Sequence, residues 1–165
     1  MIRFVFLLLF IQSVGFSCTL CITTQPKTSV EIEVNSTKEN IKTTKITWKI
    51  NKEFTESLKD VYDTNADGNI DKNELLLVEK SLLDYAYKNN FSTHISYDIT
   101  VDKKESKKIE PLNTKVYIKE SILHFEYTLK LNYKIKQKYS LYIQVLDKNR
   151  FFLLSLNKNA ITFKN

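Results

Sequence analysis

Residues 122–133 read Ile-Leu-His-Phe-Glu-Tyr-Thr-Leu-Lys-Leu-Asn-Tyr. Leu123, Phe125, Tyr127, Leu129, Leu131 and Tyr133 fall on one side of an extended chain, with His124, Glu126, Thr128, Lys130 and Asn132 on the other. A period of two cannot give a helix one apolar face, but it gives a strand a buried face and a wet one. A strand this long needs neighbours that hide its apolar side. The sequence therefore has to supply a sheet.

It does so on both sides. Val30, Ile32 and Val34 alternate with Glu31, Glu33 and Asn35, and Ile46, Trp48 and Ile50 alternate with Lys45, Thr47 and Lys49. Residues 35–40 are polar and form the turn, so residues 28–50 predict a hairpin. Strands are also expected at residues 94–101, 115–119, 141–146 and 151–156, with a charged connection over residues 102–111. Between the hairpin and these strands the period changes. Phe54, Leu58, Val61 and Tyr62 recur at helical spacing, as do Leu75, Leu76, Val78, Leu82, Leu83 and Tyr85. The expected fold is α+β: an antiparallel β-rich sandwich or curved sheet, with one helix-loop-helix inserted at residues 52–88.

The loop between those helices carries chemistry. Residues 63–74 are Asp-Thr-Asn-Ala-Asp-Gly-Asn-Ile-Asp-Lys-Asn-Glu, which fits the EF-hand pattern D-x-[DN]-x-[DN]-G-x5-E without a gap. Calcium is a hard ion that takes six to eight oxygens. Asp63, Asn65 and Asp67, spaced two apart, would turn their side chains toward one point. Gly68 would take the sharp turn. Asn69 would offer its main-chain carbonyl, Asp71 would act through a water, and Glu74 would bind bidentately from the first turn of the second helix. Ile70 would point into the core. Four clustered carboxylates (Asp63, Asp67, Asp71 and Glu74) repel one another unless a cation sits among them. Calcium is thus the expected ligand. Magnesium, which demands octahedral geometry, suits the loop less well.

The first residues read as a targeting signal. Arg3 precedes the apolar run Phe4-Val5-Phe6-Leu7-Leu8-Leu9-Phe10-Ile11, and Gly15 and Ser17 stand at −3 and −1 of a cut before Cys18. Gln12 and Ser13 interrupt the run, leaving it shorter than the ~20 apolar residues of a membrane span. The expectation is a signal peptide at residues 1–17, a flexible segment at 18–27, and one β-rich domain at 28–165. The mature chain would be exported to the periplasm and have no transmembrane span. Cys18 and Cys21 form a C-x-x-C pair with three open fates: a disulfide, a soft-metal site completed by the freed amine, or acylation of Cys18.

The 165 residues carry a net charge of +6 and only two histidines. After Arg3 the only arginine is Arg150, and the lysines are scattered. This reads as a solvated surface and not as a nucleic-acid interface. The pattern holds no phosphate loop, no HExxH and no nucleophile elbow. His94 and His124 lie in separate strand patterns, and Glu53 and Glu56 on a helix face. The chain is expected not to be an enzyme.

Several stretches together resemble the DUF1007 family of small exported proteins. They are Ile46-Thr47-Trp48-Lys49-Ile50 followed by Phe54, the acidic loop at residues 63–74, the aromatic stretch 85–91, and Val145-Leu146-Asp147 with Phe151-Phe152. The resemblance spans about residues 28–156. It implies a periplasmic accessory role beside a membrane metal permease, with nickel or cobalt as the transported ion. The family's His-Pro-His start is replaced here by Gln25-Pro26-Lys27. The alternative is a stand-alone, calcium-stabilised interaction domain of the cell envelope. The oligomeric state is not readable from the sequence.

Overall fold

The computed structural model describes residues 25–97, 109–135 and 140–164. The expected signal peptide at residues 1–17, Cys18, Cys21 and most of the charged connection at residues 102–111 lie outside these.

The hairpin comes first. β1 (Lys27–Ser36) pairs antiparallel with β2 (Asn40–Ile50), placing Val30 opposite Trp48 and Ile32 opposite Ile46. β5 (Ile122–Lys134) lies antiparallel on the other side of β2, with Phe125 opposite Trp48 and Tyr127 opposite Ile46. β4 (Pro111–Lys119) forms a second hairpin with β5. Its turn residues Glu120 and Ser121 have φ of 54° and 60°, the left-handed pair that a two-residue hairpin needs to match the twist of its strands. β7 (Leu153–Lys164) closes the far edge along β1. The sheet order is β4-β5-β2-β1-β7.

One pair departs from the antiparallel expectation. β7 runs parallel to β1, from Lys27 opposite Leu153 to Asn35 opposite Lys164. The reason is directional: β7 starts beside the start of β1, where the Leu153 amide donates to the Pro26 carbonyl. The strand is also longer than the expected residues 151–156. A second, two-stranded sheet joins β3 (Thr93–Ser96) to β6 (Tyr142–Val145). Its Ile95, Ile143 and Val145 pack against the main core.

The helical stretch lies between β2 and β3. α1 (Lys52–Ser57) and α2 (Lys59–Tyr62) are short and separated by Leu58, while α3 (Lys72–Lys88) is long. They cover the apolar face of the sheet. Phe54, Leu58, Tyr62, Val78, Leu82 and Ala86 are buried with Val30, Ile46, Trp48, Leu123, Phe125 and Tyr127 in one core. Two expected core residues are not there: Val61 and Leu76 are 46 % and 55 % exposed. In α3 the buried stripe runs through Glu74, Val78, Leu82 and Ala86, a four-residue spacing that turns Leu76 outward. Among the described residues, no helix is long and apolar enough to cross a membrane.

The other face of the sheet is polar. Lys49 pairs with Glu31, Lys164 with Glu33 at 2.8 Å, and Tyr117 donates to Glu126 at 2.8 Å. His124 is buried on this face under Tyr117, with ring centroids 4.7 Å apart and planes at 11°. Burial holds its pKa below the ordinary value. Lys49 and Lys119 add to this, and Glu126 and Glu31 oppose it. The folded chain therefore takes up this proton less readily than the unfolded chain. By linkage, the contribution of His124 is whole above the unfolded pKa of about 6.5 and is lost as pH falls from there through the lower folded value. We expect the melting temperature to fall between pH 7.5 and 5, and His124→Gln to flatten that dependence. Identical slopes in the two proteins would remove His124 as the cause.

Candidate metal centre

The loop enters from α2 and leaves through α3, and the exit is set by a capping box. Asp71, the N-cap of α3, accepts from the Asn73 and Glu74 amides at 2.7 and 2.9 Å, while Glu74 accepts from the Asp71 amide at 2.9 Å. These bonds satisfy amides that a helix start otherwise leaves without partners. Ile70 is half-buried against the core and tethers the loop from below.

Within the loop, side-chain oxygens turn inward onto backbone amides. Asp63 accepts from the Asp67 amide at 3.1 Å and from the Gly68 amide at 2.7 Å. Asn65 accepts from the same Asp67 amide at 2.9 Å. Two candidate ligands therefore meet at one nitrogen and are neighbours. Asp67 accepts from the Asn69 amide at 2.8 Å. Gly68 has φ +82°, and a Cβ built there would meet nothing within 4 Å. The backbone conformation, and not crowding, therefore calls for glycine. Ala66 shares the left-handed region at φ 59°.

Glu74 is the least exposed member of the set, at 2 %. Besides the Asp71 bond, it accepts from the Thr64 amide at 2.7 Å, the Thr64 hydroxyl at 3.1 Å and the Asn65 amide at 3.4 Å. Its pKa lies below the usual carboxylate value, chiefly through the Asp71 amide. Burial opposes that shift, and the Thr64 and Asn65 bonds reinforce it. Glu74 thus ties both ends of the loop together.

The donor chemistry fits a hard cation, since every side chain offered is a carboxylate or an amide oxygen. An oxygen that accepts one amide keeps a second lone pair. The arrangement itself is looser than a metal cluster. Among the described residues, no three Asp, Glu, His or Cys side chains group closely enough to hold an ion. Asp71 is occupied with capping, and Glu74 is engaged by the loop amides. The Asn69 amide donates to the Asp67 side chain and the Asn69 side chain to the Asp67 carbonyl. The structure thus brings Asp63, Asn65 and Asp67 together around the turn and holds Glu74 beside its start. Cys18 and Cys21 are outside the described residues. Glu53 bonds Asn51, and Glu56 pairs with Lys59 at 2.7 Å.

Sequence reasoning missed a second polar centre. Asp147 is 3 % exposed. It accepts from the Tyr85 hydroxyl at 2.6 and 2.7 Å, the Phe152 amide at 2.7 Å and the Asn149 amide at 3.1 Å. Burial first, and the carboxylate second, hold the Tyr85 phenol far above its usual pKa. Tyr85 also meets the Phe151 and Phe152 rings at 5.6 and 5.5 Å. The aromatic stretch at residues 85–91, which begins inside α3, and the Asp147 segment lie far apart in sequence and form one packed unit.

No family model, curated protein or solved structure matches this chain.

Proposed function

We propose that residues 63–74 bind calcium and that the protein is an exported, calcium-stabilised accessory domain. The supporting observation is the convergence of Asp63 and Asn65 on the Asp67 amide, at a loop whose turn depends on Gly68. Asp63, Asn65, Asp67 and Glu74 would hold the ion, with the Asn69 carbonyl and a water on Asp71 completing the shell. The ion would offset the repulsion of the four carboxylates and hold α3 in register with the sheet. A hard-oxygen set on a loop anchored by Ile70 suits a structural role better than a sensing one.

Calorimetry with calcium, magnesium, nickel and zinc tests this. Calcium should bind, with magnesium weaker. Glu74→Gln keeps one side-chain oxygen, enough for either the Asp71 or the Thr64 amide but not both, and loses the charge. It should weaken calcium by roughly tenfold or more, since even an outer-shell partner is worth 10–100-fold. Asp63→Ala should weaken it further. The absence of any calcium heat would end the reading. Sub-micromolar affinity with helix opening would end the structural version of it.

The accessory role beside a membrane metal permease rests on the family resemblance. A permease encoded next to this chain would support it. A neighbourhood of envelope proteins would favour the stand-alone interaction domain.

A further inference from the structure

Where α3 ends, the backbone turns the wrong way for L-residues. Asn90, Phe91 and Ser92 have φ of 50°, 53° and 47°. Such a conformation is strained for a side chain larger than glycine, and the surroundings hold the turn in place. Phe91 is fully buried against Tyr87 and Tyr127. The Phe91 carbonyl accepts from the Tyr127 and Thr93 hydroxyls, and the Ser92 carbonyl accepts from the Leu146 amide. The turn forms one wall of a cleft of about 370 Å³. Its other walls come from β3, from β6 and from the segment after β6.

The polar groups of this cleft fall into two sets. Asn89, Asn90 and Asn149 are engaged within the fold: Asn149 donates to Asn89, Asn89 to the Tyr85 carbonyl, and Asn90 to the Thr93 carbonyl. Lys88, Ser92, His94, Gln144 and Lys148 also line the cleft, and their side chains make no hydrogen bond or ion pair among the described residues. The Ser92 hydroxyl is buried and without a partner, the residue being 6 % exposed, so it meets a ligand only if the side chain turns toward the cleft. A buried hydroxyl without a partner is costly. Among the described residues, no carboxylate lines the cleft. Asp147, between the lining residues Leu146 and Lys148, has both oxygens already accepting.

We propose that this cleft binds a small oxyanion bearing carboxylate or phosphate groups. Two lysines can only donate, and the serine, histidine and glutamine can each donate too. Their complement is a negatively charged, acceptor-rich ligand, of a size at the low end for small-molecule sites. One term opposes this, because the carboxy-terminal end of a helix repels anions. Here the Tyr85 and Ala86 carbonyls are capped by the Asn89 amide, and Tyr85 also by the Asn89 side chain. Lys88 offsets what remains.

The test is titration of the full chain with inorganic phosphate and, separately, with citrate. It is done at fixed ionic strength by calorimetry and by amide NMR. Saturable binding of either supports the proposal and tells which oxyanion chemistry the cleft takes, with shifts expected at Ser92 and Gln144. Lys88→Gln with Lys148→Gln should weaken binding about tenfold or more, the loss expected for removed charge-assisted bonds. Ser92→Ala should weaken it without altering net charge. Lys42→Gln with Lys80→Gln, a charge-matched pair elsewhere, should leave it within about twofold. No saturable binding of either anion would overturn the proposal. So would equal weakening in the charge-matched control, which would signify diffuse attraction to a basic protein.

Discussion

Trp48→Ala should cost about 3–5 kcal/mol, the range for deleting a large buried aromatic. That is a large share of the 5–15 kcal/mol available to an ordinary domain. Trp48 is 1 % exposed at the centre of the middle strand. Its ring makes edge contacts with Phe125 at 5.7 Å, Tyr127 at 6.2 Å and Phe152 at 5.2 Å. Those partners come from β5 and from the segment before β7. The substitution therefore opens a cavity where sheet and helical layer meet, walled by rigid rings that collapse into it poorly. As Trp48 is the only tryptophan, urea unfolding should be followed by circular dichroism. Trp48→Phe keeps part of the aromatic packing and should lose less. A drop below about 1 kcal/mol for the alanine variant would show instead that the core tolerates the cavity.

Asp147→Ala is the second large effect, at about 2–4 kcal/mol, because it strands several donors at once. The Phe152 amide and the Tyr85 hydroxyl lose their acceptor, the first in a buried residue and the second beneath the Phe151 and Phe152 rings. Tyr85→Phe removes only one donor and leaves the two backbone bonds, so it should cost less. The double variant should cost less than the sum of the two singles, since the shared bond can be lost only once. Chemical denaturation of all three variants checks this, and additive losses would mean that the Tyr85–Asp147 bond carries no coupling energy.

What could be read in advance was whatever a local pattern encodes. Val30, Ile32 and Val34 against Ile46, Trp48 and Ile50 announced a hairpin, and residues 122–133 announced its neighbour, because a period of two leaves each strand only one way to face. The break between α2 and α3 was legible because Asp, Asn and Gly crowd residues 63–71 and interrupt the helical spacing. Helix faces were harder to read. Val61 and Leu76 fit the helical spacing, yet both point to solvent. On a short or mixed helix the apolar positions exceed what the core can take up. The parallel pairing of β7 with β1 left no local trace, since it depends on where the chain returns after more than a hundred residues. Tyr85 with Asp147 and the left-handed turn at residues 90–92 were hidden for the same reason. Only the Asn89-Asn90 pair hinted at the turn, asparagine being tolerant of positive φ. The cleft is assembled from α3, β3 and β6 and has no sequence signature.

The parallel zipper between β1 and β7 also bears on when the domain can finish forming. Synthesis delivers β1 well before β7, so β1 holds an unpaired edge until β7 emerges. Contacts of such wide separation are entropically slow to close. Meanwhile Val30, Ile32 and Val34 sit in an incomplete sheet open to pairing with another chain. The last strand is thus the step that commits the molecule. Shortening the chain by even part of β7 should trap a compact, association-prone species and not simply a weaker version of the same fold.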